Sequence, residues 1–191
     1  MKRTAIIIGI VGLIAVSGLS AREVSRIGIH QGYAPSQPIE FSHRLHAGDN
    51  QIPCLYCHSA ARTSRHAGIP ALSVCMNCHE LLEKQTVEIE KLKEAVQEQR
   101  AIAWVKVHNL PDFAYFNHSQ HVISGVACQT CHGPVERMDR VRQVSPLTMG
   151  WCLDCHRERA HLPTKSFQRV ALGLTSRPMP TSNLDCTSCH Y

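Results

Sequence analysis

Two stretches of this chain show a sustained pattern of apolar and polar positions, and they are of opposite kinds. After Met1-Lys2-Arg3, the eighteen residues Thr4–Ala21 (TAIIIGIVGLIAVSGLSA) carry no charge. An apolar run with no polar face predicts a helix that lipid can surround; at this length it is about 27 Å long, close to the minimum bilayer span. It reads either as an uncleaved anchor or as a cleaved secretory signal. The small-x-small site near Ser17–Ala21 is poorly formed and Arg22-Glu23 follow at once, which favours the anchor. The second stretch runs from Glu80 to about Val105 and is rich in Glu, Lys, Gln, Ala and Leu. Ile89, Leu92 and Val96 recur at helical spacing and Glu80–Lys84 forms a favourable i,i+4 pair, which predicts one long helix acting as a structural spacer.

Between and beyond these stretches the punctuation is set by cysteine. The pentapeptide Cys-x-x-Cys-His occurs five times: Cys54–His58, Cys75–His79, Cys128–His132, Cys152–His156 and Cys186–His190. All ten cysteines of the chain lie in these motifs. The motif is the attachment site of c-type haem. Its thiols (Cys54, Cys57, Cys75, Cys78, Cys128, Cys131, Cys152, Cys155, Cys186 and Cys189) would add across the haem vinyl groups. Its histidines (His58, His79, His132, His156 and His190) would be proximal iron ligands. Five covalently bound haem c groups follow as the expected cofactors.

Other uses of cysteine explain less. The gaps of 17 residues from Cys57 to Cys75 and 20 from Cys131 to Cys152 fit a zinc-ribbon spacing. A ribbon does not require the following His, and 13 histidines in 191 residues make five chance occurrences about a one-in-a-million event. A disulfide framework leaves the histidines equally unexplained. Thiol redox chemistry at Cys-x-x-Cys usually sits in a βαβ unit, and no such unit is legible.

Haem content changes how composition and charge are read. Without the N-terminal stretch there are about 34 residues per haem, too few to build an independent core and also enclose five macrocycles. The haems must themselves be much of the core. The expected fold is therefore mainly α with much irregular structure: short helices around the Cys-His segments, little sheet and many loops. The formal charge of +5 is not a nucleic-acid signal. Ten haem propionates and five ferric centres bring the total to about zero when oxidised and about −5 when reduced. Haem c is attached outside the cytoplasmic membrane, so residues 22–191 are expected in the periplasm of a bacterial inner-membrane protein.

An internal repeat organises the chain. Phe41-x-His43-x-x-His46 precedes the first haem motif, and Phe116-x-His118-x-x-His121 precedes the third. Each is followed by two motifs about twenty residues apart. The layout is an anchor (1–21), an extended leader (22–40), a first dihaem module (41–79), a helical spacer (80–105), a second dihaem module (106–157) and a C-terminal segment with the fifth haem (158–191). Eight histidines remain beyond the proximal five: His30, His43, His46, His66, His108, His118, His121 and His161. The i,i+3 spacing lets two rings leave one turn toward two haems, so His43, His46, His118 and His121 are the expected distal ligands. For the fifth iron, His108 and Met149 remain open alternatives. Six-coordinate iron suits electron transfer rather than substrate binding.

The grammar of Phe-x-His-x-x-His with Cys-x-x-Cys-His resembles small multihaem cytochromes of the c3/c7 kind. Longer runs extend the likeness: Phe41 to Asn50, Ala67-Gly-Ile-Pro70, Trp104-Val-Lys-Val-His108-Asn-Leu-Pro-Asp-Phe113, and Pro146-Leu-Thr-Met149-Gly-Trp ahead of Cys152. Together they resemble the pentahaem cytochrome c subunit of bacterial alternative complex III. That resemblance implies one N-terminal transmembrane helix and a haem domain on the periplasmic face. The implied partners are an iron–sulfur and molybdopterin-like subunit, polytopic quinol-binding subunits, a monohaem cytochrome c and the lipid bilayer, with no nucleic acid. It implies an electron wire that is not itself a catalyst, within a complex that oxidises quinol and feeds a cytochrome c or an oxidase.

Three other functions compete. An independent quinol dehydrogenase of the four-haem NapC/NrfH type would have a similar anchor, but its Cys-His-x-Met signature follows none of the five motifs. A free periplasmic shuttle requires loss of residues 1–21. A pentahaem nitrite reductase would need an open iron and a much longer chain.

Overall fold

The computed structural model describes residues 2–24, 27–82, 86–160 and 183–190. Among them there are helices and turns but no strand. The first helix, α1, spans Lys2–Val24. Its apolar window Ile6–Val24 has a mean hydropathy of 1.7 and none of it is buried within the chain. A helix this long and apolar can cross a bilayer, and it continues three residues past the expected end of the anchor.

The leader is less free than an extended connector. Gly32 donates to the Gln143 carbonyl at 2.7 Å, and Gln143 donates back to the Tyr33 carbonyl at 3.1 Å. The Gln37 side-chain amide bonds both backbone groups of Val105, at 3.0 and 2.9 Å. The leader is thus tied to segments more than sixty residues away, which satisfies backbone groups that no sheet is present to satisfy.

The haem motifs sit on helices that repeat in kind. The one-turn α2 (Cys54–Cys57) is followed by the longer α3 (Leu72–His79). In the second half, α6 (Cys128–His132) is followed by α7 (Met149–Ala160). The fifth motif forms a single 3-10 turn, Cys186–Ser188, opened by the Asp185 side chain accepting from Thr187. Helical winding puts Cys i and Cys i+3 on one face, so both thiols of a motif point to the same side.

The long helix expected over 80–105 is shorter. α4 covers Val87–Gln97, with Thr86 as its N-cap accepting from the Ile89 amide. Glu80 and Leu81 lie in a turn, Lys84 is outside the described residues, and the chain leaves the helix at Gln99, whose φ is +52°. The apolar spacing identified the packed face correctly: Leu92 and its neighbour Ala95 are buried, with α4 set against α3. Propensity favoured helix further on, but a residue in the left-handed region ends it.

Across the described residues only Ala61, Leu92, Ala95 and Met138 form a buried apolar core. Four residues cannot hold a domain of this size together by burial alone. The two modules are instead joined by polar contacts. Arg44 donates its amide to the Met138 carbonyl and its guanidinium to Asp139 at 3.0 Å. Ser42 also donates to Asp139 at 2.7 Å. Gly48 packs directly on the Glu136 carbonyl, where a Cβ would not fit. Arg65 lies over the Tyr115 ring, 4.8 Å from its centre.

Candidate metal centres

Each Phe-x-His-x-x-His segment builds the same local arrangement. In the first, His43 precedes a π-helical turn (Arg44–Asp49) that contains His46. In the second, α5 (His118–Ile123) begins at His118, capped by Asn117. Phe41 meets His43 edge-on at 4.8 Å and stacks on His46 at 4.2 Å. Phe116 meets His118 edge-on at 4.8 Å and stacks on His121 at 4.4 Å. The phenylalanine therefore fixes the planes of both rings, which explains its place in the repeat.

Four histidines of the Phe-x-His-x-x-His segments face four histidines of the Cys-x-x-Cys-His motifs. His43 and His58 have ring centres 6.5 Å apart and planes within 3°. His118 and His132 stand 6.3 Å apart at 12°. His46 and His79 are 5.9 Å apart at 49°, and His121 and His156 are 6.1 Å apart at 51°. Two imidazoles sharing one metal through their outer nitrogens would have centres about 6.4 Å apart, given metal–nitrogen bonds of about 2.0–2.1 Å. The first ring of each repeat makes a near-parallel pair and the second a tilted one.

The inner nitrogens are tied back to the chain. His58 Nδ1 bonds the Gly68 carbonyl at 2.7 Å and His118 Nδ1 the Arg65 carbonyl at 2.8 Å. His46 and His121 bond the carbonyls of Ser42 and Asn117, at 2.8 and 2.9 Å. His156 bonds the Asn183 carbonyl at 2.7 Å, and His190 that of Phe113 at 3.0 Å. A carbonyl can only accept, so in these six rings Nδ1 carries a proton and Nε2 is the nitrogen left to bind a metal. That is the tautomer of a metal-binding histidine whose other nitrogen is held by the protein.

Burial keeps several of these rings neutral. It pushes the pKa of His43 down to about 4, with His58, His46 and His108 adding repulsion. It pushes His132 down to about 4 as well, helped by His108, His118, His58 and His43. His79 and His108 are lowered, again chiefly by burial. Neutral imidazole is the form that binds a metal.

A haem fits this donor set better than a bare ion does. Among the described residues no three of His, Cys, Asp and Glu converge as a bare metal ion would require. Paired rings would supply the two further ligands that an iron held by a porphyrin can take. The sparse apolar core is the second sign that the fold closes around something other than side chains.

The remaining expected residues are placed differently. The Nε2 of His108 lies 3.2 Å from the Nδ1 of His132, with the rings edge-on at 4.4 Å. It sits behind a ring already paired with His118. Met149 starts α7 and is 65 % exposed. Of the other histidines, His30 packs on Tyr33 at 5.5 Å, and His161 lies outside the described residues. Sequence reasoning missed Gln143, which is fully buried. It accepts from the Asn109 amide at 2.9 Å and donates to the Ser145 carbonyl at 3.0 Å, fixing the backbone next to His108. Nothing in its local sequence marks it.

Residues 114–191 match the family model of cytochrome c7 and related cytochrome c. The chain is also 33 % identical over 102 residues to the multiheme cytochrome c subunit of menaquinone reductase from Nitratidesulfovibrio vulgaris (strain Hildenborough). That alignment covers 53 % of this chain and 48 % of the relative, so the chain spans about half the length of the curated protein it matches. Its C-terminal part is therefore similar in sequence to the c7 group of multihaem cytochromes.

Proposed function

We propose that this chain is a membrane-anchored pentahaem c-type cytochrome serving as an electron wire in a quinone-linked respiratory complex. The four facing histidine pairs, each beside a Cys-x-x-Cys-His segment, carry the reading. The ten cysteines hold five haems covalently. His58, His79, His132, His156 and His190 are the proximal ligands, and His43, His46, His118 and His121 are the distal ligands of the first four irons. Met149 is the proposed distal ligand of the fifth. It starts the helix that carries Cys152 and His156, and His156 is held by the Asn183 carbonyl three residues before Cys186. Bound there, haem would supply reversible one-electron exchange at iron.

The chain's own residues set the order of the centres. His43 and His46 leave one turn, which joins the first centre to the second. His118 donates both its amide, at 3.2 Å, and its Nδ1, at 2.8 Å, to the Arg65 carbonyl. Arg65 belongs to the loop that also holds His58, so the first centre adjoins the third. His118 and His121 share α5 and join the third centre to the fourth. The Asn183 carbonyl that holds His156 is three residues before Cys186, which joins the fourth to the fifth. The resulting order is second, first, third, fourth, fifth, with the third in the middle.

Rings on both sides of an iron leave no position for substrate, so the chain conducts and partners catalyse. α1 would hold it in the bacterial inner membrane with the haem domain in the periplasm. The resemblance to the alternative complex III subunit makes quinol the electron source and a cytochrome c or an oxidase the acceptor. Expected neighbours are an iron–sulfur and molybdopterin-like subunit and polytopic quinol-binding subunits. The similarity to a menaquinone reductase subunit favours a second reading, in which electrons flow toward the quinone. Mild-detergent purification from native membranes, followed by mixing with menaquinol, separates them. Co-purifying iron–sulfur and polytopic subunits with rapid haem reduction support quinol oxidation. The same partners with reduced haems that are oxidised by menaquinone support the reverse flow. A chain that emerges alone and exchanges electrons with neither sinks both.

A further inference from the structure

His108 stands out among the histidines because its polar contact is with another histidine ring. The inner nitrogens of His58, His156 and His190 all rest on backbone carbonyls. His132 instead presents its Nδ1 to the Nε2 of His108 at 3.2 Å. The outer side of the His132 ring faces His118, with centres 6.3 Å apart and planes within 12°. If the outer nitrogen of His132 binds iron, its proton must reside on Nδ1, and His108 Nε2 must be the acceptor. A neutral imidazole nitrogen is a stronger base than an amide carbonyl oxygen. It draws the His132 proton further, gives the ligated ring more anionic character and favours the ferric state.

We propose that His108 is a positioning residue acting through His132: it accepts the His132 Nδ1 proton in a hydrogen bond and so lowers the potential of the third haem. This rests on haem ligation at His132 as proposed above. The surroundings support a built contact rather than an incidental one. His108 is half-buried, and the next residue, Asn109, is held by the buried Gln143 at 2.9 Å. Gln143 in turn is bonded to the leader through Tyr33 and Gly32. The backbone beside the ring is therefore held by the Gln143 segment, which is itself tied to the leader. With the third centre in the middle of the proposed order, His108 would lower the potential at the midpoint of the wire. That placement discourages electrons from resting at the centre of the chain.

The test is spectroelectrochemical titration of the full chain as wild type, His108→Ala and His108→Gln, after haem content and spin state have been measured in each. A wild type without five low-spin haems would sink the wire reading itself, independently of His108. In His108→Ala, all haems should stay low-spin and bind no CO. One centre should shift its ferric-to-ferrous ratio about tenfold toward ferrous, a rise of about 59 mV in one potential. His108→Gln keeps an acceptor oxygen and should recover part of the shift. If His108→Ala does not accumulate, His108→Leu fills the same space without an acceptor and should show the same rise. A new high-spin, CO-binding haem in any of these variants would mean that His108 ligates iron, and the proposal falls. It falls equally if no potential moves in the Ala or Leu variant.

Discussion

Replacing Gln143 with leucine removes three hydrogen bonds, the longest of them to the Pro146 carbonyl at 3.5 Å, from a fully buried side chain while roughly conserving its volume. The Asn109 amide loses its acceptor at 2.9 Å and the Ser145 carbonyl its donor at 3.0 Å. The Gln143 backbone bonds to Gly32 and Tyr33 stay in place, so the perturbation is confined to the side chain. Each buried group left without a partner costs about 1–3 kcal/mol. Asn109 is only half-buried and water can partly replace its bond, and leucine gains some apolar burial. The net loss is about 2–3 kcal/mol. For a chain of this length that lowers the melting temperature by roughly 4–12 °C. The assay is thermal unfolding of the haem-loaded protein in detergent, followed by near-ultraviolet circular dichroism. Gln143→Glu is the companion variant. It keeps an acceptor for Asn109 but sets a carboxylate against the Ser145 carbonyl. It should be the less stable of the two at neutral pH and regain stability as the carboxylate is protonated. A leucine variant melting within about 1 °C of wild type would refute the account of Gln143 as a polar hub.

Phe116→Ala removes the stacking partner of His121 and the edge contact to His118. It should cost about 1–3 kcal/mol and broaden the low-spin electron paramagnetic resonance signals of two haems; unchanged line shapes would show that the phenylalanine does not set the ring planes. Gly133→Ala puts a Cβ at φ +72° and 2.7 Å from the Val144 side chain. A loss of about 2 kcal/mol or more is expected in denaturant titration, with tolerance of alanine as the contrary result. The pH dependence follows from His43 and His132, both lowered to about 4 by burial. An unfolded chain takes up these protons near 6.5 and the folded chain only near 4, so stability present above about 6.5 is lost as pH falls through 4. Iron at the same rings would push the loss lower still. Urea midpoints measured from pH 7 to pH 4 should fall, and a rise on acidification would contradict the assignment.

The chemistry of the chain is local and was legible without coordinates. Cys-x-x-Cys-His needs only consecutive residues, and two histidines three apart on one turn need only helical winding. The apolar run of α1 and the packed face of α4 at Leu92 were equally plain, because periodicity reports burial directly. The α4 ends were not, because Thr86 and Gln99 act through backbone angles that propensity averages away. Which ring faces which was also beyond the sequence. The spacing of His43 and His46 states that two directions are served, but not that His58 lies along one and His79 along the other. That pairing, the junction of His118 with Arg65, and the contact of His108 with His132 join residues that are distant in the chain. They exist only once the modules have packed. The leader's attachment to Gln143 is of the same kind. Sequence by itself determined the donor types and their number; the tertiary structure decided which of them face each other, because a hydrogen bond or a ring pair depends on separation in space and not along the chain.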